Sequence, residues 1–302
     1  MKSLGMFFFA AIASILFASA ALPQSVDFRL CGGAENGNYD RSAHIMKANA
    51  AARKVNVVIV NTLGSVDNLD KMQAGECDGA FVQSDAFITY GEKYASLIST
   101  VKRVGPIYDE YVHLLCHKDS GIEDITDLTA ANIVSVGPIG TGSRVTWDSF
   151  NLASQSGWFT SKKYIDVRTT DDNGFPALMD ANNEKNRCVL AVSGLSSPFI
   201  KTDAPKAGNL VLVGSFDKDM LGVKDASGES VYFEGEIPDN AYPAPPTPKG
   251  WTGAYGVDAV GVRALFIVSQ AWLKANAKAY DGLIRVYADS IPAFHDLVKP
   301  KT

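Results

Sequence analysis

Residues 55–83 read VNVVIVNTLGSVDNLDKMQAGECDGAFVQ. The β-branched run at 55–60 has the composition of a buried parallel strand. Gly64 breaks it, and Ser65 stands where a helix N-cap belongs. Val66, Leu69 and Met72 then share one helical face until Gly75 stops the helix. A second short apolar run follows at 79–83. A strand, a helix and a strand in immediate succession make a βαβ unit, and its crossover forces the two strands parallel.

The same logic extends to both sides. Residues 26–31 form a strand candidate that turns through Gly32–Gly33 and Asn36–Gly37–Asn38 into a helix from about 40 to 53. Downstream, 110–117 is a long extended run, followed by a polar stretch at 118–131. A second series starts at 133–137, turns through Pro138–Ile139–Gly140–Thr141–Gly142 and enters a helix from Ser143 to about Ser156. Residues 165–169, 188–192, 210–214 and 260–268 are further strand candidates, and a helix over 270–288 closes the chain. YPAPPTPKG at 242–250 carries four prolines and cannot be regular structure. Because the strand–glycine loop–helix pattern appears once before His117 and once after it, the sequence predicts two α/β lobes. Each would be a mostly parallel sheet flanked by helices, with extended crossovers between them.

The chain has 302 residues, 46% hydrophobic and 20% charged, which excludes extended disorder. A formal net charge of −5 gives no footprint for a nucleic-acid backbone, so nucleic acid is not an expected partner. Met1–Lys2 opens a leader whose apolar run at 4–17 ends in Ala18–Ser19–Ala20, the pattern of a secretory signal peptide cut after residue 20. The run is shorter than the ~20 residues needed to span a bilayer. An exported, periplasmic protein is expected. Cys31, Cys77, Cys116 and Cys188 show no CxxC spacing, and both disulfides (in any of three pairings) and buried single thiols stay open.

In parallel α/β sheets the carboxyl ends of strands meet helix N-termini and line the ligand crevice. Three such helix starts carry small polar side chains: Asn38–Tyr39, Ser65 to Asn68, and Thr141–Gly142–Ser143–Arg144. Gln83–Ser84–Asp85 ends a strand at the same rim. Free backbone N–H groups, helix dipoles and hydroxyls there suit a small anion, with Arg144 placed to reach a carboxylate bidentately. Sharper motifs fail. The 137–143 loop has glycines at phosphate-loop spacing but Ser143 where a lysine is required, and it does not read GxGxxG. Gly194 to Pro198 is one glycine short of a nucleophile elbow. His113 and His117 lie in a β run, where four residues span ~13 Å, too far for one metal ion; both read as surface or rim residues. Adjacent Asp109 and Glu110 face opposite ways in a strand. No metal, cofactor or catalytic constellation is expected.

Several segments resemble the TAXI family of solute-binding proteins. They are GNY at 37–39, GSVDNLDKMQAGECDGAFVQSD at 64–85, YDEYVHLL with DSGI within 108–122, and GPIGTGSRVT at 137–146. VSGLSSPFI at 192–200 and YGVDAVGVRALFIVS at 255–269 match more loosely. The resemblance implies a type-2 periplasmic-binding-protein fold with a hinge and delivery of small organic acids to the permease subunits of a TRAP-type transporter. It also implies ligand contacts from Asn38, Tyr39, Ser65, Asn68, Gln83, Ser84, Thr141, Gly142, Ser143 and Arg144. The glycine loop departs from the family's PGSGT by reordering its small hydroxyls.

The expectation is therefore a non-enzymatic protein that closes on a small anionic solute, such as an amino acid or dicarboxylate. Its lobes would be 21–117 with 258–302, and 118–257, hinged near 116–118 and 256–260. Two rivals share the fold: an extracytoplasmic sensing module, and an enzyme such as a dehydratase drawing on Glu110 or His113.

Overall fold

A computed structural model of the chain describes residues 25–153, 165–169, 174–225, 228–242 and 256–300. The leader at 1–20, the expected helix end beyond 153 and the proline-rich stretch after Tyr242 lie outside the described residues.

The unit around residues 55–83 forms as its composition dictates. β1 (Val26–Cys31) pairs in parallel with β2 (Val55–Val60) on one side and with β3 (Gly79–Gln83) on the other. α1 (Asn38–Ala50) and α2 (Ser65–Gln73) are the crossovers. β3 is buried on both faces. Phe81 packs with Phe28, Phe266 and Phe294 on one side, while Ala80 and Val82 meet Leu69 and Met72 on the other, as a side-chain period of two requires. β2 differs from expectation. It is the outermost strand of the sheet, so Val55 and Val57 are buried whereas Asn56 and Val58 face solvent.

The short helices α3 (Ala86–Thr89) and α4 (Ala95–Ile98) lead into β4 (Val101–His117), longer than the run read from sequence. β5 (Ile133–Val136), α5 (Gly142–Ala153), β6 (Asp166–Thr169), α6 (Phe175–Asn183) and β7 (Arg187–Ser193) repeat the parallel pattern, β5 pairing with both β6 and β7. β8 (Leu210–Val213), β9 (Tyr232–Ile237) and β10 (Val257–Ser269) complete the sheet. The closing helix breaks at Asn276 into α7 (Gln270–Ala275) and α8 (Ala277–Val298), running past the expected end. Among the described residues no helix is long and apolar enough to cross a membrane.

Strand order is β2-β1-β3-β10-β4-β7-β5-β6, with β8 beside β4 and β9 beside β10. The sheet is parallel at its two ends and antiparallel in the centre, where β10 pairs with β3, β4 and β9, and β4 pairs with β7 and β8. β4 and β10 belong to both halves. They pair with each other from Asp109 and Arg263 towards Val101 and Ser269, then diverge, β4 to β7 from Tyr111 onward and β10 to β9 up to Val262.

All four cysteines are bonded. Cys31 at the end of β1 joins Cys77 ahead of β3, and Cys116 joins Cys188 across directly paired strands, with Cα–Cα 4.2 Å. His113 and His117 lie in a strand as expected but are buried, not on the surface or rim. The His113 ring bonds the Tyr111 carbonyl through Nδ1 and the Tyr242 hydroxyl through Nε2. Desolvation pushes its pKa down to about 4, so it is held neutral.

Candidate functional site

A cleft of about 370 Å³ opens where the carboxyl ends of β1, β2 and β3 face the 137–143 loop and β7. That is near the lower end of small-molecule sites, roughly 300–1,000 Å³. One wall is the glycine-rich turn from Gly33 to Gly37 with Asn38 and Tyr39 of α1; the opposite wall is the 137–143 loop with Val189 to Ser193 of β7.

At the cleft lies a chain of hydrogen bonds linking buried Ser65, Gln83 and Glu110 through the partly buried Tyr39. The Gln83 backbone N–H donates to Ser65 Oγ at 3.0 Å, and the Ser65 hydroxyl is bonded in turn to Tyr39. Tyr39 Oη donates to Glu110 Oε2 at 3.1 Å, and the Gln83 side chain also bonds the Glu110 carboxyl. Burial pushes the Glu110 pKa up to about 8, against the opposing effect of those two hydrogen bonds. Desolvation also drives Tyr39 well above the usual phenol value. Three side-chain atoms here have no partner: Asn38 Nδ2, Asn38 Oδ1 and Gln83 Oε1, with Asn38 8% and Gln83 1% exposed. Buried polar groups are ordinarily satisfied.

Gly142 is glycine for a steric reason. A Cβ there would lie 2.5 Å from the Gln83 amide carbon, so the loop's backbone packs directly on that side chain. Gly64, at φ 138°, turns the chain into α2 in a conformation other residues rarely adopt. The α2 start is not free for a solute: Val66 N–H donates to Gly140 O at 3.1 Å and Asp67 N–H at 3.4 Å.

Of the residues the sequence points to, Asn38, Tyr39, Ser65, Gln83, Thr141, Gly142 and Ser143 line the cleft. Ser143 Oγ is occupied by the Val192 N–H at 2.9 Å, and Thr141 Oγ1 donates to Pro138 O at 2.8 Å. Asn68 is fully buried away from it, donating to Phe81 O at 2.6 Å and accepting from Thr62 Oγ1. Ser84 hydrogen-bonds Val231 O at 3.5 Å outside the lining. Arg144 is not in the lining either. Its Nε donates to Asp148 Oδ1 at 3.0 Å, one turn on in α5, while Tyr90 Oη donates to the other oxygen at 2.7 Å. Beside them, Asp85 Oδ2 accepts from Thr146 Oγ1 at 2.7 Å and Tyr232 Oη at 2.8 Å, and burial raises its pKa to about 6.

Sequence reasoning treats Glu110 only as a possible acid for an enzyme and passes over Glu35. Both line the cleft, and the described lining holds no Lys, Arg or His. An anionic solute therefore meets no cationic side chain among the described lining residues. The loosely matching stretch at 192–200 held the signal for the second wall, since Val192, Ser193, Ser197, Pro198 and Phe199 all lie there.

The architecture is the two-lobe α/β fold of periplasmic binding proteins. Lactococcal OpuAC, closed and complexed with glycine betaine, is similar at 14% identity and TM-score 0.53, over 92% of this chain and 92% of that one. The substrate binding protein of an amino acid ABC transporter (12% identity, 92% and 100% covered, TM-score 0.49) and an ancestral arginine-binding protein bound to arginine (13%, 90% and 97%, 0.49) are also similar. No curated protein matches the sequence. Residues 41–198, more than half of the chain, match the model of the NMT1-like family, and the chain belongs to that family.

Proposed function

We propose that this protein is an exported, non-enzymatic solute-binding protein that encloses a small polar solute between its lobes and delivers it to a membrane permease. The observation that carries this is the set of unpartnered, buried amide atoms of Asn38 and Gln83 at the cleft. Leaving such atoms unsatisfied costs about 1–3 kcal/mol each, which a hydrogen-bonding solute recovers. The TAXI-like segments at 64–85 and 137–146 support a TRAP-type permease as the partner. The anion read from sequence loses its main support because Arg144 is held by Asp148 and the described lining is acidic.

Function follows from lobe closure, in which contacts from both walls favour the closed state. The sequence reading divides the lobes as 21–117 with 258–302 against 118–257. Because residues 111–117 of β4 pair with β7 and β8, and residues 257–262 of β10 pair with β9, we assign both segments to the second lobe. The pivots move to the points where β4 and β10 change partners, near Asp109–Tyr111 and Val262–Arg263. The enzyme reading loses His113, which is engaged by Tyr111 and Tyr242, and keeps Glu110 as its one cleft residue.

A thermal-shift screen of the exported chain against amino acids, amines and small carboxylates tests this. A true ligand at about 100 times its Kd stabilises by ~2.7 kcal/mol and raises Tm by several degrees. A flat response across the whole screen would overturn the reading.

A further inference from the structure

We infer that the solute carries a positively charged nitrogen, seated on the Glu110 carboxylate with the side-chain oxygens of Asn38 and Gln83 accepting its N–H donors. This rests on the solute-binding reading above and names the chemical class that the cleft selects. Three observations point the same way. Asn38 Oδ1 and Gln83 Oε1 are acceptors left without donors, in residues more than nine-tenths buried. Glu110, 5% exposed, lines the same cleft, and Glu35 adds a second acid to the lining. Among the described lining residues no Lys, Arg or His compensates either carboxylate. A solute that donates several hydrogen bonds and brings one positive charge fits this set. A carboxylate solute would be desolvated with no cationic side chain among the described lining residues to pair with it, which is costly.

The charge state of the empty cleft makes the inference measurable. Burial holds Glu110 protonated at neutral pH, its pKa raised to about 8. The groups around it are Tyr39 from α1, Gln83 from β3, Asp85 just beyond β3, and Tyr108 and Asp109 on its own strand. Arg41 acts on Tyr108, and Arg263 and His295 on Asp109. The two neighbouring aspartates add to the upward push. When a cation arrives, the carboxyl O–H bond breaks, the proton leaves to buffer, and the carboxylate pairs with the solute's N–H groups by charge-assisted hydrogen bonds. Near pH 7 this releases about nine-tenths of a proton per solute bound, from the pKa of about 8.

The test is titration calorimetry of the full exported chain in phosphate and in Tris, whose ionisation heats differ. One set of probes carries amines (putrescine, L-arginine, L-glutamine); the other does not (succinate, glutarate, 2-oxoglutarate). The expected result is binding within the amine set, with proton release that disappears in Glu110→Gln and affinity there lowered at least tenfold. Binding confined to the amine-free set, or amine binding with no proton release and no change in Glu110→Gln, overturns the inference and leaves the solute-binding reading standing. No binding in either set overturns both. Should Glu110→Gln fail to fold, Tyr39→Phe removes a hydrogen bond that favours the carboxylate. It then shifts the pH midpoint of proton release upward, and an unmoved midpoint overturns the inference.

Discussion

Gln83, at the end of β3, rests its side-chain amide on the backbone of Gly142 at the start of α5, so close that a methyl group on Gly142 could not be accommodated without moving Gln83. One contact thus joins the two walls of the cleft and fixes the amide that bonds Glu110.

Gly142→Ala is therefore a probe of the site more than of the fold. The obstructing atoms are the far end of a flexible side chain, so the stability loss stays below ~1.5 kcal/mol. Gln83 must rotate away from Glu110, and losing a hydrogen bond to a charged group costs roughly 1.5–3 kcal/mol of solute affinity, a factor of ten or more. Chemical denaturation and calorimetry on the same variant separate the two effects. Equal losses in both would contradict the geometry.

Arg144→Ala gives the opposite pattern. Its guanidinium serves Asp148 and not the cleft, so solute affinity stays within about twofold. A tenfold loss would put Arg144 back among the ligand contacts.

Stability falls as pH rises. Glu110 titrates at about 8 against a reference of 4.5, and Asp85 at about 6 against 3.8. An acid whose pKa is higher in the folded state binds its proton more tightly there. Its stabilising contribution is complete below the unfolded value and is lost as pH passes the folded one. For Glu110 the change is on the order of several kcal/mol at 1.36 per unit. Melting temperatures should drop across this window, and Glu110→Gln should flatten the drop. Asp85→Asn should remove only its more acidic portion. His113, lowered to about 4 from 6.5, acts with the opposite sign in the acidic part of the window. The decisive range therefore lies above 6.5, where a wild-type Tm that rises towards pH 8 would refute the Glu110 assignment.

How much of this was legible in the sequence differs from residue to residue. The 55–83 unit could be read because helix and strand have different periods and glycines mark their limits. The position of β2 at the sheet edge could not, since VNVVIV carries β-branched residues on both faces and only its neighbours decide which face is covered. The antiparallel centre depends on β10 inserting between β3 and β4, a pairing across a long stretch of chain that no local pattern encodes. In the site, Tyr39, Ser65 and Gln83 stood out as polar residues at a predicted rim. Glu110 did not, because alternation places it and Asp109 on opposite faces without saying which face meets Tyr39. For Arg144 the warning was present: Asp148 follows at helical i,i+4 spacing.

The two disulfides close loops with sequence separations of 46 and 72 residues. Chain entropy assigns roughly 4 kcal/mol to each. Reduction by dithiothreitol should lower Tm by well over ten degrees, with Cys31→Ala/Cys77→Ala and Cys116→Ala/Cys188→Ala each accounting for part. An unchanged Tm after complete thiol titration would contradict that contribution.

Finally, β4 and β10 supply backbone hydrogen-bond partners to strands on both sides of the cleft. If either half came apart, it would strip those ladders from the half still folded, so neither is an independent melting unit. Heat capacity traces should show a single endotherm whose van't Hoff and calorimetric enthalpies agree. Under the proposed lobe closure, the motion would then be a flexing at two shared strands, with neither half ever unfolded beside the other.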